Sequence, residues 1–319
     1  MSDKKLIFVV STCDRMADAV KCAYNKMWIR THVRLIDTAT TCNQEQLVGY
    51  VQARHCVRQR LTGLCLKIPC TIIAIENYID HHGNQWWNAP MIIIANGTGK
   101  ILAESPPWKK NDSVSVNITK YALKYASDLS KTIGQITTND WRVHFSKYGY
   151  DHNDLTSALK KTLKFMDIRD ILTETLGINF LDINPILTKP LLFDKLITLI
   201  LSFLPTETTH IAIMGLQGSI IGAAVAARVG LPTVLICKSE NLPGKVHNGT
   251  DTLEIHVPQG SKVVFIDYIL KTGVIAKAIS DLVNARGATV SWFIVVRDIP
   301  ELAKEAASKL VDVSYTVIL

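Results

Sequence analysis

Between Lys262 and Gly273 the chain carries its most chemically suggestive residues. An apolar strand, KVVFI, ends in the carboxylate of Asp267 and is followed by Lys271, Thr272 and Gly273. A carboxylate at the end of a buried strand can accept hydrogen bonds from sugar hydroxyls. A Thr-Gly turn opening a helix can offer backbone N–H groups and a hydroxyl to a phosphate. Together these suit the gripping of a ribose phosphate. A second stretch of this kind is Gly215-Leu216-Gln217-Gly218, again between an apolar run and a helical pattern. Its glycines would let backbone approach an anion, but a strand-to-helix turn also takes glycine for geometry alone, and both readings stand. The polar segment from Ser239 to Pro258 reads either as a lid over a site or as an exposed hairpin.

Alternating strands and helices must position these loops. HIAIMG (His210 to Gly215) precedes a helical pattern from Ser219 to Val229, then TVLICK (Thr233 to Lys238). KVVFID precedes a helix from Val274 to Asn284, and VSWFIVV (Val290 to Val296), a helix from Pro300 to Leu310 and SYTVIL complete the series. Apolar strands interleaved with helices predict a parallel sheet covered on both faces, with ligands beyond the carboxyl ends of its strands. Earlier in the chain, LIFVVST, a helical pattern (Met16, Val20, Ala23, Met27), a strand from His32 to Asp37 and a helix from Gln44 to Arg60 come first. TIIAIENYI, PMIIIAN and KILAES follow, the last two around a Gly97-Thr98-Gly99 turn, with a helix from about Val114 to Leu129 beyond. The expectation is two α/β domains: residues 1–150 with a partly antiparallel sheet, and residues 151–319 with a parallel one. Residues 151–166 form a linking helix, with the boundary near Tyr148-Gly149-Tyr150.

KVVFIDYILKTGVIAKAISDLV resembles the diphosphosugar-binding motif of type I phosphoribosyltransferases: a hydrophobic strand, two acids, then T-G-G-T or T-G-G-S. GINFLDINPILTKPLLFDKLI (Gly177 to Ile197) is similar to the opening segment of that fold. HIAIMGLQGSIIGAAVAARVGLPTVLICKSENLPG (His210 to Gly244) is similar to the central region of adenine phosphoribosyltransferases. The resemblance implies that Asp267 is the catalytic acid and ribose ligand. It further implies that Lys271, Thr272, Gly273, Gly215, Gln217, Gly218 and Lys238 hold phosphate and ribose, and that Phe180 stacks on a base. Phe180 equally suits plain core. A purine nucleotide or other small phosphorylated ligand and a homodimer are implied as well.

Departures from that pattern bear on the chemistry. Tyr268 stands in place of the second acid, and Val274 and Ile275 replace a glycine and a hydroxyl in the phosphate loop. Gly215-Leu216-Gln217-Gly218 stands where the diphosphate loop reads D-S-R-G, so its aspartate and arginine are gone, and Cys237 and Asn241 replace basic residues. Each lost charge-assisted hydrogen bond to phosphate costs about 1.5–3 kcal/mol. Several losses together reduce diphosphosugar binding by on the order of thousands-fold. The expectation is a nucleotide-binding protein with degenerate catalytic motifs and a regulatory or structural role. An active, divergent adenine phosphoribosyltransferase is the alternative, and an assembly or scaffold protein a third reading.

The order of elements in the first half resembles the inosine/xanthosine triphosphatase family. The residues concerned are Ser11-Thr12-Cys13-Asp14-Arg15, Gln44 to Gly49, and Ala74-Ile75-Glu76-Asn77-Tyr78. The resemblance implies Mg²⁺ held by Glu45 and Glu76 at a triphosphate. Asn77-Tyr78 replaces a glycine pair and would obstruct phosphate approach, and Glu76 also suits a salt-bridged strand end.

Composition narrows the class. Hydrophobic residues at 48% against 20% charged exclude a disordered chain. The net charge of +7 is spread along the sequence without a long basic run, so nucleic-acid binding is not expected. The greasiest segment, Leu191 to Leu204, is too short to span a bilayer and carries Asp194 and Lys195. Seven cysteines without a C-x-x-C pair suit reduced thiols in the cytoplasm.

Overall fold

The computed structural model describes residues 4–11, 14–38, 47–62, 64–82, 85–108, 116–117, 152–177, 182–238, 246–248, 251–254, 256–299, 301–310 and 314–319. The chain divides into two units, Met1–Asp167 and Ile168–Leu319. The division falls inside a helix that runs from His152 to Leu176, longer than the linking helix expected from the sequence.

In the first unit the sheet order is β2-β1-β4-β5-β6, formed by β1 (Lys5–Val10), β2 (Thr31–Ile36), β4 (Thr71–His82), β5 (Gln85–Asn96) and β6 (Ile101–Glu104). The short strands β3 (Leu47–Val48) and β7 (Val116–Asn117) pair with β4 and β5. β1, β2, β3 and β4 are mutually parallel, whereas β5 is antiparallel to β4, β6 and β7, giving a mixed sheet. Helix α1 (Asp14–Asn25) buries Met16, Ala19, Val20 and Ala23, the face its 3.6-residue period marks out. α2 (Tyr50–Leu61) presents Arg54 and Arg58 to Glu104, a carboxylate 8% exposed at the end of β6.

Two details depart from expectation. β4 and β5 each run 12 residues, further than their apolar cores, because His81 and Trp86 stack across the ladder with ring centroids 4.9 Å apart. Trp86 and Trp87 therefore belong to β5, which starts ahead of the PMIIIAN run read as a strand from the sequence. The start of the expected helix from Val114 is instead β7, drawn into extended form by pairing with Trp87 and Asn88. The remainder of that segment lies outside the described residues.

The second unit has the sheet order β10-β11-β9-β8-β12-β13-β14. Its parallel body consists of β8 (His210–Met214), β9 (Thr233–Lys238), β12 (Lys262–Leu270), β13 (Thr289–Asp298) and β14 (Tyr315–Val317). The polar segment after β9 carries an antiparallel hairpin, β10 (Val246–Asn248) and β11 (Asp251–Glu254), which extends the sheet beside β9. Numbering the helices on from the His152–Leu176 helix as α3, this unit adds α4 (Asn184–Leu187), α5 (Pro190–Phe203), α6 (Leu216–Val229), α7 (Val274–Ala285) and α8 (Ala303–Lys309). Phe265 and Phe293, on neighbouring strands, meet edge to face at 5.2 Å within an apolar cluster that includes Ile279, Leu282 and Val283 of α7. Among the described residues no helix is long and apolar enough to cross a membrane.

Candidate functional site

A cleft of about 340 Å³ opens at the carboxyl ends of β8 and β12. Its walls include Gly215, Gln217 and Gly218 from one connection and Asp267, Lys271, Thr272 and Gly273 from the other. The two sequence stretches thus meet in one place because β8 and β12 are hydrogen-bonded neighbours, with Ile266 opposite Ile213. The Lys238 backbone sits opposite Leu253 at the end of β9, and its side chain lies outside the described residues. Phe180 and Glu45 lie outside the described residues.

Sequence reasoning placed Gln217 and Gly218 in a loop. They form the first turn of α6 instead, which starts directly after Gly215. α7 likewise starts directly after Gly273, and neither helix has a side-chain cap at its N-terminus. Two helix starts with uncapped N–H groups therefore line the same cleft, an arrangement favourable to an anion. Gly273 has φ 76°, and a Cβ on it would lie 3.0 Å from the Ala306 Cα of α8, so the turn is pressed against that helix. A side chain could occupy neither that conformation nor that space cheaply.

Asp267 sits between the two helix starts. Its Oδ1 accepts a hydrogen bond from the Tyr268 backbone N–H at 2.6 Å. Burial pushes its carboxyl up to about 6, against the smaller opposing pulls of that hydrogen bond and of the Lys271 ammonium. Near neutral pH it is mostly ionised, an acceptor for hydroxyl donors. The remaining walls are largely apolar: Met214, Phe265, Ile269, Phe293 and Val295. Sequence reasoning did not single these out, although Phe265, Asp267 and Ile269 fall on one face by the two-residue period of a strand.

The same period sends Tyr268 to the opposite face of β12. Its ring is completely buried, near Arg297 and Asp182, and it does not line the cleft. The residue replacing an acid therefore leaves the space open rather than plugging it. Val274 and Ile275 stand half-exposed at the rim, and Leu216 is 80% exposed there.

In the first unit, Glu76 forms an ion pair with Arg60. Among the described residues no three His, Cys, Asp or Glu side chains gather where they could hold a metal ion. A carboxylate already neutralised by a guanidinium is a poor start for a Mg²⁺ site, and no metal-dependent step is derived for this unit.

A parallel sheet with two helix starts at its strand ends, and a buried carboxylate beside them, defines the second unit as an α/β domain of the kind that binds ligands beyond its strand ends. Comparison with known proteins narrows the class. The chain is 33% identical over 156 residues to an adenine phosphoribosyltransferase of Caenorhabditis elegans, covering 45% of this chain and 83% of the relative. It is 36% identical over 140 residues to the adenine phosphoribosyltransferase of Haemophilus influenzae, covering 40% of this chain and 78% of the relative. Among solved structures, the adenine phosphoribosyltransferase of Saccharomyces cerevisiae complexed with an imino-altritol bisphosphate and adenine is 27% identical, with a TM-score of 0.39, over 43% of this chain and 85% of that one. No family model matches the chain. The chain belongs to the adenine phosphoribosyltransferase family, by a similarity that extends over less than half of its length.

Proposed function

We propose that the second unit binds a purine nucleotide by its ribose 5-phosphate in the cleft between Gly215 and Ile275, with little or no turnover. The observation that carries this reading is the convergence of two uncapped helix starts and one buried carboxylate on a single cleft. Asp267 accepts from the ribose hydroxyls, while the Thr272 hydroxyl, the N–H groups at the start of α7 and the Lys271 ammonium receive the phosphate. A leaving diphosphate would need further positive charge. Of the described lining residues only Lys271 supplies a cation, and the α6 side presents Leu216 and Gln217. The role that follows is regulatory or structural, in a cytoplasmic homodimer.

A second reading, a working adenine phosphoribosyltransferase, draws support from the relatives: their names agree, and identity reaches 33–36%. In that reaction adenine attacks the anomeric carbon of phosphoribosyl diphosphate, diphosphate departs and AMP forms. Asp267, Thr272 and Gly273 are the retained residues that would serve it.

Calorimetry with adenine, AMP, ATP, ITP and phosphoribosyl diphosphate, beside an assay of labelled adenine conversion, separates the readings. AMP binding that Asp267→Ala weakens, with no conversion, is the expected result. Conversion at a metabolic rate, abolished by Asp267→Ala, establishes the second reading. No binding and no conversion ends both. For the first unit, a nucleoside triphosphatase-like domain is proposed from its order of elements, with Glu76 as the residue to test.

A further inference from the structure

α1 ends in a way that folding alone does not favour. The Ile29 N–H donates to the Tyr24 carbonyl at 3.1 Å and the Trp28 N–H to that of Asn25 at 3.0 Å, the paired bonds of a helix terminus that reverses through a left-handed residue. That residue is normally glycine. Here it is Trp28, with φ 62° and 96% exposed. A tryptophan held in a disfavoured backbone conformation, with its ring in water, points to use as a contact.

The cations around it come together only in the folded chain. The Lys5 N–H donates to the Arg30 carbonyl at 3.0 Å, and β1 pairs with β2 from Lys5 and Thr31 onward. Lys4 and Lys5 therefore lie beside Arg30, one turn of chain from Lys26 and Trp28. Among the described residues β2 is an edge strand, and Arg30 just ahead of it, with His32 and Arg34 within it, are exposed alternate positions spaced about 6.7 Å apart along an extended chain. Arg34 Nε donates to His32 Nε2 at 3.1 Å, and Lys5 lies 5.6 Å from the centre of the Tyr24 ring. Asp167 also acts electrostatically on Tyr24, so one acid approaches this corner. Among the described residues, Lys4, Lys26, Arg30 and Arg34 make no ion pair with an acid.

We propose that this edge of the first unit, Trp28 with Lys26, Arg30 and Arg34, is a contact surface for single-stranded nucleic acid. A row of cations along an extended edge matches a linear polyanion, and one free aromatic face matches one unstacked base. A membrane would ask for a wider apolar tip, yet Met27 and Ile29 on either side of Trp28 are only partly exposed. The surface belongs to the first unit and shares no residue with the cleft of the second, so the proposal stands whether or not that cleft binds nucleotide. It also departs from the sequence reading, in which the charges looked scattered.

The test uses the full chain and a labelled single-stranded oligonucleotide of about 12 nucleotides, followed by fluorescence anisotropy. Binding is expected to weaken as salt rises, by about 0.7 in log K per log salt for each phosphate contacted. Trp28→Gly, which suits the backbone better, is expected to weaken binding about tenfold or more while remaining folded. Arg30→Glu with Arg34→Glu is expected to lower both the affinity and the salt slope. The proposal is overturned if low-salt binding is absent, if Trp28→Gly binds as well as the parent, or if duplex binds as tightly as single strand. Capture of anionic phospholipid vesicles with no oligonucleotide binding would overturn it in favour of a membrane contact.

Discussion

Gly218 and Asp267 touch: a Cβ on Gly218 would lie 2.7 Å from the Asp267 Oδ1 and 3.2 Å from the Ile266 carbonyl oxygen. The first turn of α6 thus rests directly on a carboxylate of β12, which runs three residues beyond it to Leu270. Gly218→Ala must displace either the helix or the carboxylate, at a cost of about 1–3 kcal/mol. A lower melting temperature and weaker AMP binding are expected together. An unchanged affinity for AMP would mean that this contact does not set the ligand site.

Asp267 should also make stability depend on pH. Its folded-state pKa of about 6 lies above the ordinary 3.8, so the folded chain binds the extra proton and stability declines as pH rises from about 4 through 6. Asp267→Asn is therefore expected to gain about 2–3 kcal/mol relative to the parent at pH 7.5, and almost nothing at pH 3.5. Denaturant titrations at the two pH values check the sign. On the proposed reading the same variant should bind AMP less well, because the ionised carboxylate would be the acceptor for the ribose hydroxyls.

Trp28→Gly is expected to stabilise the first unit by about 1 kcal/mol, since a left-handed residue with a side chain carries that order of strain. Thermal unfolding measures it. A loss of stability would show that the Trp28 ring contributes packing that its exposure does not suggest.

Glu104 behaves in the opposite sense to Asp267. Burial by itself would raise its pKa, but the Arg54 and Arg58 guanidiniums outweigh that and hold the carboxyl below the usual range. Its contribution is present above the ordinary carboxylate pKa and is lost as pH falls below about 4. Glu104→Gln leaves two guanidiniums short of a partner and is expected to cost about 3–5 kcal/mol at neutral pH. Chemical denaturation of the variant, followed through the first unit, provides the measurement.

Much of this was legible in the residues. The strand–helix alternation from His210 onward, and the threonine and glycine after KVVFID, announced a parallel sheet with a glycine turn at a helix start, because short apolar runs bounded by glycine have few other solutions. Less legible was the extent of β4 and β5, whose outer halves carry polar and aromatic residues that become strand only by pairing with each other. The hairpin of β10 and β11 was one of two readings left open for its segment, because its residues have no apolar period and gain extended form by pairing beside β9.

By itself the sequence determined which groups exist and their local bias: Asp267 after an apolar strand run, Gly273 at a helix start, Trp28 after a helical pattern. Tertiary structure decided what those groups face. It turned Tyr268 into the core through the pleat of β12, set Gly218 against Asp267 through the pairing of β8 with β12, and gathered Lys4, Arg30 and Arg34 at one edge. Those outcomes depend on strand order and register, and pairing energies between distant segments are not written in any local stretch of chain.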